Sequence, residues 1–194
     1  MDDAAAPQPP PLPPSLPVPV DDGAAAHLPG RSVPGLRLWS TEGRDVDLSE
    51  LAAGALVLYV FPKMGRPGEA SPPGWDETPG ARGCTNETCA FRDRHEEFSK
   101  LGYSVAGLSA QPEAELAEAS QRLRLSFPLL ADPDRRVAAA LELPTFDIAG
   151  MTLYKRLTFI ARGRRIVKVF YPVFPPDENA DEVLAWIRSD GGAT

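Results

Sequence analysis

Residues 55–61 read ALVLYVF, an unbroken apolar run that ends at Pro62. The run lacks the alternation of a strand with one wet face, and it is typical of a central strand buried on both faces, as in α/β proteins. Residues 103–110 predict a second buried strand, and the segment between them is helical from residue 84 to about 101, with Gly102 as a stop signal. We therefore expect parallel strands joined by a helical crossover.

The flanking sequence extends this unit in both directions. Before it, a short hairpin is predicted around the turn residue Gly43. After it, the pattern predicts helices over 112–124, 135–141 and 177–189, a short strand at 127–130, and a hairpin pairing 157–161 with 165–170. This order predicts an α/β fold with a mixed central sheet, helices on both faces and an N-terminal hairpin. The thioredoxin-like fold has this combination.

The first residues differ in composition from the rest of the chain. About a third of the 22 prolines lie in the first 20 residues, among Ala and Asp and few large apolar side chains. Such a segment cannot bury enough apolar surface to offset its ordering entropy. We predict a disordered tail over 1–27 and one domain over 28–190.

Charge and hydropathy exclude several classes of function. The net charge of −7 gives no general attraction to nucleic acid or to anionic lipid. The chain has no run of about 18 apolar residues for a membrane span. Its start is acidic and no apolar export segment follows. From these features we expect a soluble cytoplasmic protein.

The chain has two cysteines, Cys84 and Cys89, which are too few and too close to form a disulfide scaffold. A reducing compartment favours a catalytic or a metal-binding pair. We expect no metal, because the only histidines available are His27 and His95 and the first lies in the tail. We expect no cofactor either.

Cys84 is predicted at the first turn of a helix that follows a buried strand. The free N–H groups and the dipole at that end favour the thiolate, which is the nucleophile. Cys89 lies five residues on, and on an ideal helix the two Cα atoms would be roughly 8–9 Å apart, beyond the reach of a disulfide. A bond between the two sulfurs therefore requires the first helical turns to unwind. The alternative is that both are small buried side chains.

The segment 83–93, GCTNETCAFRD, closely resembles the active-site helix of peroxiredoxins, and most of all the Q-type or bacterioferritin-comigratory group. Residues 59–63 resemble the strand end before that helix, and the segment from Arg156 to Ile160 resembles the strand that supplies the family's active-site arginine. The resemblance runs from about Leu28 to Ile187.

The resemblance implies a thiol peroxidase acting on hydrogen peroxide or organic hydroperoxides. Cys84 would form a sulfenic acid, and Cys89 would condense with it to a disulfide that a thioredoxin-type reductant reopens. Arg156 would hold the thiolate and polarise the peroxide. The resemblance also implies a monomer or a weak dimer.

The chain departs from the family pattern before Cys84. Ala81 stands at the usual threonine position, and Pro62 lies 22 residues before the cysteine instead of seven, so an insertion rich in Gly and Pro divides the motif. Thr78 belongs to a displaced Thr-Pro-Gly and is our candidate for the missing hydroxyl, with Thr85 and backbone groups left open. Long loops of this kind are usually functional or disordered.

Three alternatives stay open at this point. The first is a non-peroxidatic redox switch or thiol–disulfide exchange protein on the same fold, motivated by Ala81. The second is a thioredoxin-fold protein with inert buried thiols. The third is a biosynthetic enzyme that uses the loop as a substrate pocket.

Overall fold

The computed structural model describes residues 7–190, so residues 1–6 of the predicted tail lie outside the described part. A mixed sheet is at its centre, and helices cover it. The strands are β1 (Arg37–Ser40), β2 (Arg44–Asp47), β3 (Ala55–Val60), β4 (Tyr103–Ser109), β5 (Leu129–Ala131), β6 (Thr145–Ile148), β7 (Met151–Tyr154), β8 (Leu157–Arg162) and β9 (Arg165–Phe170). The helices are α1 (Leu48–Leu51), α2 (Cys84–Lys100), α3 (Glu113–Leu123), α4 (Arg136–Leu141) and α5 (Asn179–Asp190), the last preceded by a 3₁₀ turn at Pro176–Glu178.

Seven strands form the main sheet in the order β2-β1-β5-β4-β3-β8-β9. β3, β4 and β5 run parallel, whereas β8 pairs antiparallel with β3, with Leu157 opposite Val60. The carboxyl ends of β3 and β4 therefore meet the beginning of β8 at one edge of the sheet. This edge receives α2, which returns from β3 to β4.

Side chains of β3 alternate between two apolar cores. Val57 and Tyr59 pack with α2, α3 and α5 on one face, and Leu56 and Leu58 pack with α1, α4 and the segment before β1 on the other. Helices thus cover both faces, which confirms the predicted thioredoxin-like α/β fold. The unbroken apolar run is explained by burial on both sides.

The sequence pattern missed one element, the two-stranded sheet of β6 and β7. Its outer residues are half-exposed, and the pattern around Ala149 and Gly150 lacked a long apolar stretch. This hairpin packs against the Gly/Pro-rich loop: Ile148 and Leu153 form a small cluster with Trp75 and Ala81. The loop is therefore anchored by an aromatic side chain near its middle.

The described part of the predicted tail lies against the domain. Pro10 accepts a hydrogen bond from Asn86, Asp22 pairs with Lys155, and Ala25 is buried. Where the tail ends and the domain begins stays a prediction. Within residues 7–190, the helices include none that is both long and apolar enough to cross a membrane.

Candidate active site

The edge where β3, β4 and β8 meet brings together the first turn of α2 and Arg156. Helix α2 begins at Cys84, directly after Gly83, whose φ of 101° lies in the left-handed region. A side chain at position 83 would also collide with Pro176, so glycine alone fits there. Arg156 immediately precedes β8, and the pairing of β8 with β3 carries it to the same edge.

Arg156 contacts the sulfur of Cys84 directly. Its Nη2 donates to Sγ over 3.1 Å and also lies 3.1–3.3 Å from the backbone carbonyls of Gly80, Ala81 and Arg82. Both Arg156 and Cys84 are buried. A cation held by this many acceptors cannot swing away, so its charge stays fixed beside the thiol.

Glu87 is the second anionic group on this arginine. It lies one helical turn after Cys84, is fully buried, and its Oε2 accepts from Nη1 of Arg156. Burial raises the pKa of Glu87 to about 7, although the charge of Arg156 opposes the rise. Oε1 of Glu87 is buried and has no hydrogen-bond partner among the described residues. The guanidinium of Arg156 therefore contacts two acidic groups, the Cys84 thiol and the Glu87 carboxyl. A negative charge on one of them disfavours a negative charge on the other.

The thiol of Cys84 is only 3% exposed, and burial raises its pKa. The charge and hydrogen bond of Arg156 and the backbone N–H of Lys63 act in the opposite direction, whereas Glu87 adds to the rise. The position at the helix N-terminus predicted a favoured thiolate, but desolvation outweighs the groups that stabilise the charge in this closed arrangement. Protonation of Glu87 removes the competing anion and favours the thiolate.

Cys89 is buried in the second turn of α2, and both cysteines are free thiols. Burial raises the pKa of Cys89, against the charge of nearby Arg92. Helix α2 is continuous from Cys84 to Lys100, so the two cysteines have the i, i+5 relation for which an ideal helix gives a Cα separation of roughly 8–9 Å. The pair can form a disulfide only after the first turns open.

Thr78, the candidate for the missing hydroxyl, lies in the loop before the helix. Its hydroxyl donates to the carbonyl of Gly74 over 2.7 Å, and no hydrogen bond among residues 7–190 joins it to Cys84. It lines a cavity of about 440 Å³ together with Arg156, whereas Cys84 lines a different cavity of about 610 Å³ together with Thr85. Thr78 therefore lines the same cavity as Arg156 and a different cavity from Cys84. Its role stays a prediction.

Three groups were not predicted from the sequence: Glu87, Gln111, which hydrogen-bonds both backbone groups of Met64, and the backbone N–H of Lys63 beside Cys84. The first could have been found from its i+3 spacing to Cys84. The second follows the carboxyl end of β4, where parallel sheets place their functional groups. The third has no side-chain signal. Across residues 7–190, no three His, Cys, Asp or Glu side chains are arranged to hold a metal ion.

Comparison with known proteins finds similar sequences over most of the chain. The family model described as Redoxin matches residues 28–184. The chloroplastic peroxiredoxin Q of Sedum lineare is 32% identical over 177 residues, covering 91% of this chain and 86% of the relative. The corresponding protein of Arabidopsis thaliana is 30% identical over 161 residues, covering 82% and 67%.

Two solved structures have the same fold. Peroxidoxin BcpB of Mycobacterium tuberculosis superposes with a TM-score of 0.68 at 29% identity, covering 84% of this chain and 98% of that chain. Peroxiredoxin Q of Xanthomonas campestris has a TM-score of 0.64 at 23% identity, covering 90% and 96%. At that lower identity the second likeness shows the fold alone.

Proposed function

Because the chain belongs to the redoxin family and is a peroxiredoxin of the Q type, we propose that it reduces hydrogen peroxide or organic hydroperoxides with Cys84 as the peroxidatic thiol and Cys89 as the resolving thiol. The contact between Arg156 and Cys84 is the observation that carries this assignment. It sets a permanent cation against a sulfur at a helix N-terminus, the arrangement that activates a cysteine.

The first step breaks the O–O bond. The Cys84 thiolate attacks one peroxide oxygen, its electron pair forms the S–O bond, and the second oxygen leaves as hydroxide or alkoxide and takes up a proton. The products are a sulfenic acid on Cys84 and water or an alcohol. Arg156 stabilises the thiolate and the developing charge on the leaving oxygen. Because the pKa of Glu87 is about 7, a large fraction of the molecules hold Glu87 protonated at neutral pH. In these molecules the thiolate is the only anion that Arg156 contacts.

The second step closes the disulfide. The Cys89 sulfur attacks the sulfenate sulfur, an S–S bond forms, and water leaves. A dithiol reductant of the thioredoxin type then reopens the bond by exchange, ending as a disulfide itself. Such dithiols are kept reduced in compartments like the cytoplasm, where we propose that the protein acts. The curated relatives named above are chloroplastic.

Every group in this scheme comes from one chain, so a monomer or a weak dimer is sufficient for the cycle. Sedimentation velocity over a range of protein concentrations measures the assembly directly. A stable higher oligomer would contradict this part of the proposal.

Stopped-flow mixing of the reduced protein with hydrogen peroxide tests the function. We expect Cys84 to react orders of magnitude faster than a free cysteine, and Cys84→Ser to abolish turnover while Cys89→Ser leaves a sulfenate that dimedone traps. A thiol that reacts no faster than free cysteine would overturn the proposal. A mixed disulfide with a client protein and no sulfenate after peroxide would favour a redox switch instead.

A further inference from the structure

Lys63 and Cys84 line the same cavity of about 610 Å³, and the backbone N–H of Lys63 acts to lower the pKa of the Cys84 thiol. This N–H belongs to the three residues 62–64 that follow the buried run and precede the Gly/Pro-rich loop. A backbone donor stabilises a developing anion well only when it is already held in place, because no energy is then lost in orienting it. What fixes the position of Lys63 therefore matters for the chemistry at Cys84.

Gln111 binds the residue next to Lys63 through both of its backbone groups. The N–H of Met64 donates to Oε1 of Gln111 over 2.7 Å, and Nε2 of Gln111 donates to the carbonyl of Met64 over 3.0 Å. Gln111 and Met64 are each 3% exposed, so water cannot replace these bonds. On the other side of Lys63, the hydroxyl of Ser109 donates to the carbonyl of Pro62 over 3.0 Å.

These bonds extend the pairing of β3 with β4 beyond the end of the sheet. The last regular link is the N–H of Phe61, which donates to the carbonyl of Leu108 over 3.0 Å. Past that point the amide of Gln111 takes the place of a strand partner. Glu115 completes the arrangement, since it accepts from Nε2 of Gln111 over 2.7 Å and pairs with the Lys63 ammonium.

The inserted loop explains why such an anchor is needed. Between Pro62 and Cys84 lie 21 residues, and none of those from 64 to 83 is in a helix or a strand. Helix α2 therefore cannot fix the backbone of Lys63 through a short connection. The end of β4, which belongs to the rigid sheet, supplies the missing constraint.

We propose that Gln111 is a positioning residue for the reaction of Cys84: by binding both backbone groups of Met64, it keeps the N–H of Lys63 aimed at the sulfur that attacks the peroxide. This inference rests on the proposed function and adds a residue to it. Gln111 acts through the backbone of residues 63 and 64.

The direct test is the substitution Gln111→Met, which keeps the length of the side chain and removes its hydrogen-bond donor and acceptor. In a Cys89→Ser background, the pKa of Cys84 is measured from its thiolate ultraviolet absorbance, and the rate with hydrogen peroxide is measured by stopped flow. We expect a raised pKa for Cys84 and a rate lowered by about tenfold, somewhat less than the loss of a direct transition-state donor. Gln111→Asn keeps both amide groups on a side chain one methylene shorter, and its pKa and rate should fall between those of the wild type and those of Gln111→Met.

Two control variants separate positioning from stability. Gln121→Met makes the same exchange at an exposed position on α3, and Thr41→Val removes a hydroxyl that accepts from the N–H of Leu129. Both should leave the pKa of Cys84 and its rate unchanged, even where thermal melting shows a loss of stability. If Gln111→Met does not fold, Gln111→Asn carries the same comparison.

Unchanged pKa and rate in a folded Gln111 variant would overturn the inference while the wild-type protein still reacts rapidly with peroxide. Equal losses in Thr41→Val would overturn it as well, because the effect would then follow stability alone. A slow wild-type protein is a different result, since it would overturn the proposed function itself.

Discussion

Arg156 holds the Cys84 sulfur, the Glu87 carboxylate and three backbone carbonyls with one guanidinium. Burial disfavours its charge, but the negative charges of Cys84 and Glu87 outweigh this effect and raise the pKa of Arg156. It therefore stays protonated throughout catalysis. An ammonium could not reproduce this geometry, because it lacks the planar fork that reaches two anions at once.

Arg156→Lys should consequently lower the rate of Cys84 with hydrogen peroxide by about 10²-fold, the range seen when one fixed donor to a developing anion is lost. The matched control is Arg162→Lys, at the other end of β8, where Arg162 pairs with Asp190 and Tyr103. Stopped-flow rates of both variants make the comparison. A similar decrease in both, or none in Arg156→Lys, would contradict the role of Arg156.

Glu87 should make the stability of the fold depend on pH. Burial raises its pKa from an ordinary 4.5 to about 7, so between these values the folded chain holds a proton that the unfolded chain has released. The stability that this proton contributes is complete below about pH 4.5 and is lost as the pH rises to about 7. Glu87→Gln stays neutral and lacks this dependence.

Urea unfolding of the wild type and of Glu87→Gln, under reducing conditions and at several pH values, measures the effect. The free energy of unfolding of the variant minus that of the wild type should increase from about pH 4.5 to about pH 7 and then level off. Parallel pH profiles would show that Glu87 ionises at an ordinary pKa in the folded protein.

At the scale of elements, α2 must change its structure when the two cysteines join. The hydrogen bond from the Glu87 N–H to the Gly83 carbonyl closes the first turn of α2. On an intact helix, two cysteines at i and i+5 lie too far apart to form a disulfide. Oxidation to the Cys84–Cys89 disulfide should therefore increase amide hydrogen exchange over residues 84–90, with little change over 91–100. Hydrogen-exchange mass spectrometry of the reduced and oxidised protein tests this, and equal protection in both forms would contradict it.

The elements differ in how far the sequence predicted them. β3, β4 and α2 have strong signals, and their observed ends fall within about one residue of the predicted ones: α2 ends at Lys100, before Gly102. The hairpin of β6 and β7 was missed because its residues are half-exposed and it is stabilised by contacts with Trp75, which lies some 70 residues earlier in the chain. Tertiary contacts of that range leave no local periodicity.

The site was predictable only where a side chain carried the signal. Cys84 and Arg156 were identified from residue type and resemblance, and the structure brings them into contact. The two hydrogen bonds of Gln111 are made with the backbone N–H and C=O of Met64. Backbone groups do not depend on the residue type, so the sequence pattern could not reveal these bonds. The position of Thr78 away from Cys84 depends on the path of the inserted loop. That path could not be predicted, because the loop contains no helix or strand.

At the scale of the whole molecule, residues 7–13 lie across the beginning of α2. Together with Cys84 they line the cavity of about 610 Å³. The carbonyls of Pro7 and Pro10 accept from Arg92 and Asn86 over 3.0 and 2.9 Å. The proline side chains limit the freedom of this segment, so fixing it costs less entropy than fixing an ordinary chain. The contact with Asn86 falls on the helical turns that must open when the cysteines join, and the contact with Arg92 falls in the turn that follows them.

A chain that begins at residue 14 should therefore close the Cys84–Cys89 disulfide faster than the full chain. Each hydrogen bond contributes about 0.5–1.5 kcal/mol, so losing the contacts with α2 should accelerate closure by about tenfold. Stopped-flow fluorescence of Trp75, which lines the same cavity, separates the two steps, because sulfenate formation depends on peroxide concentration and closure does not. Equal closure rates in the two chains would show that the segment lies on α2 without stabilising its folded form.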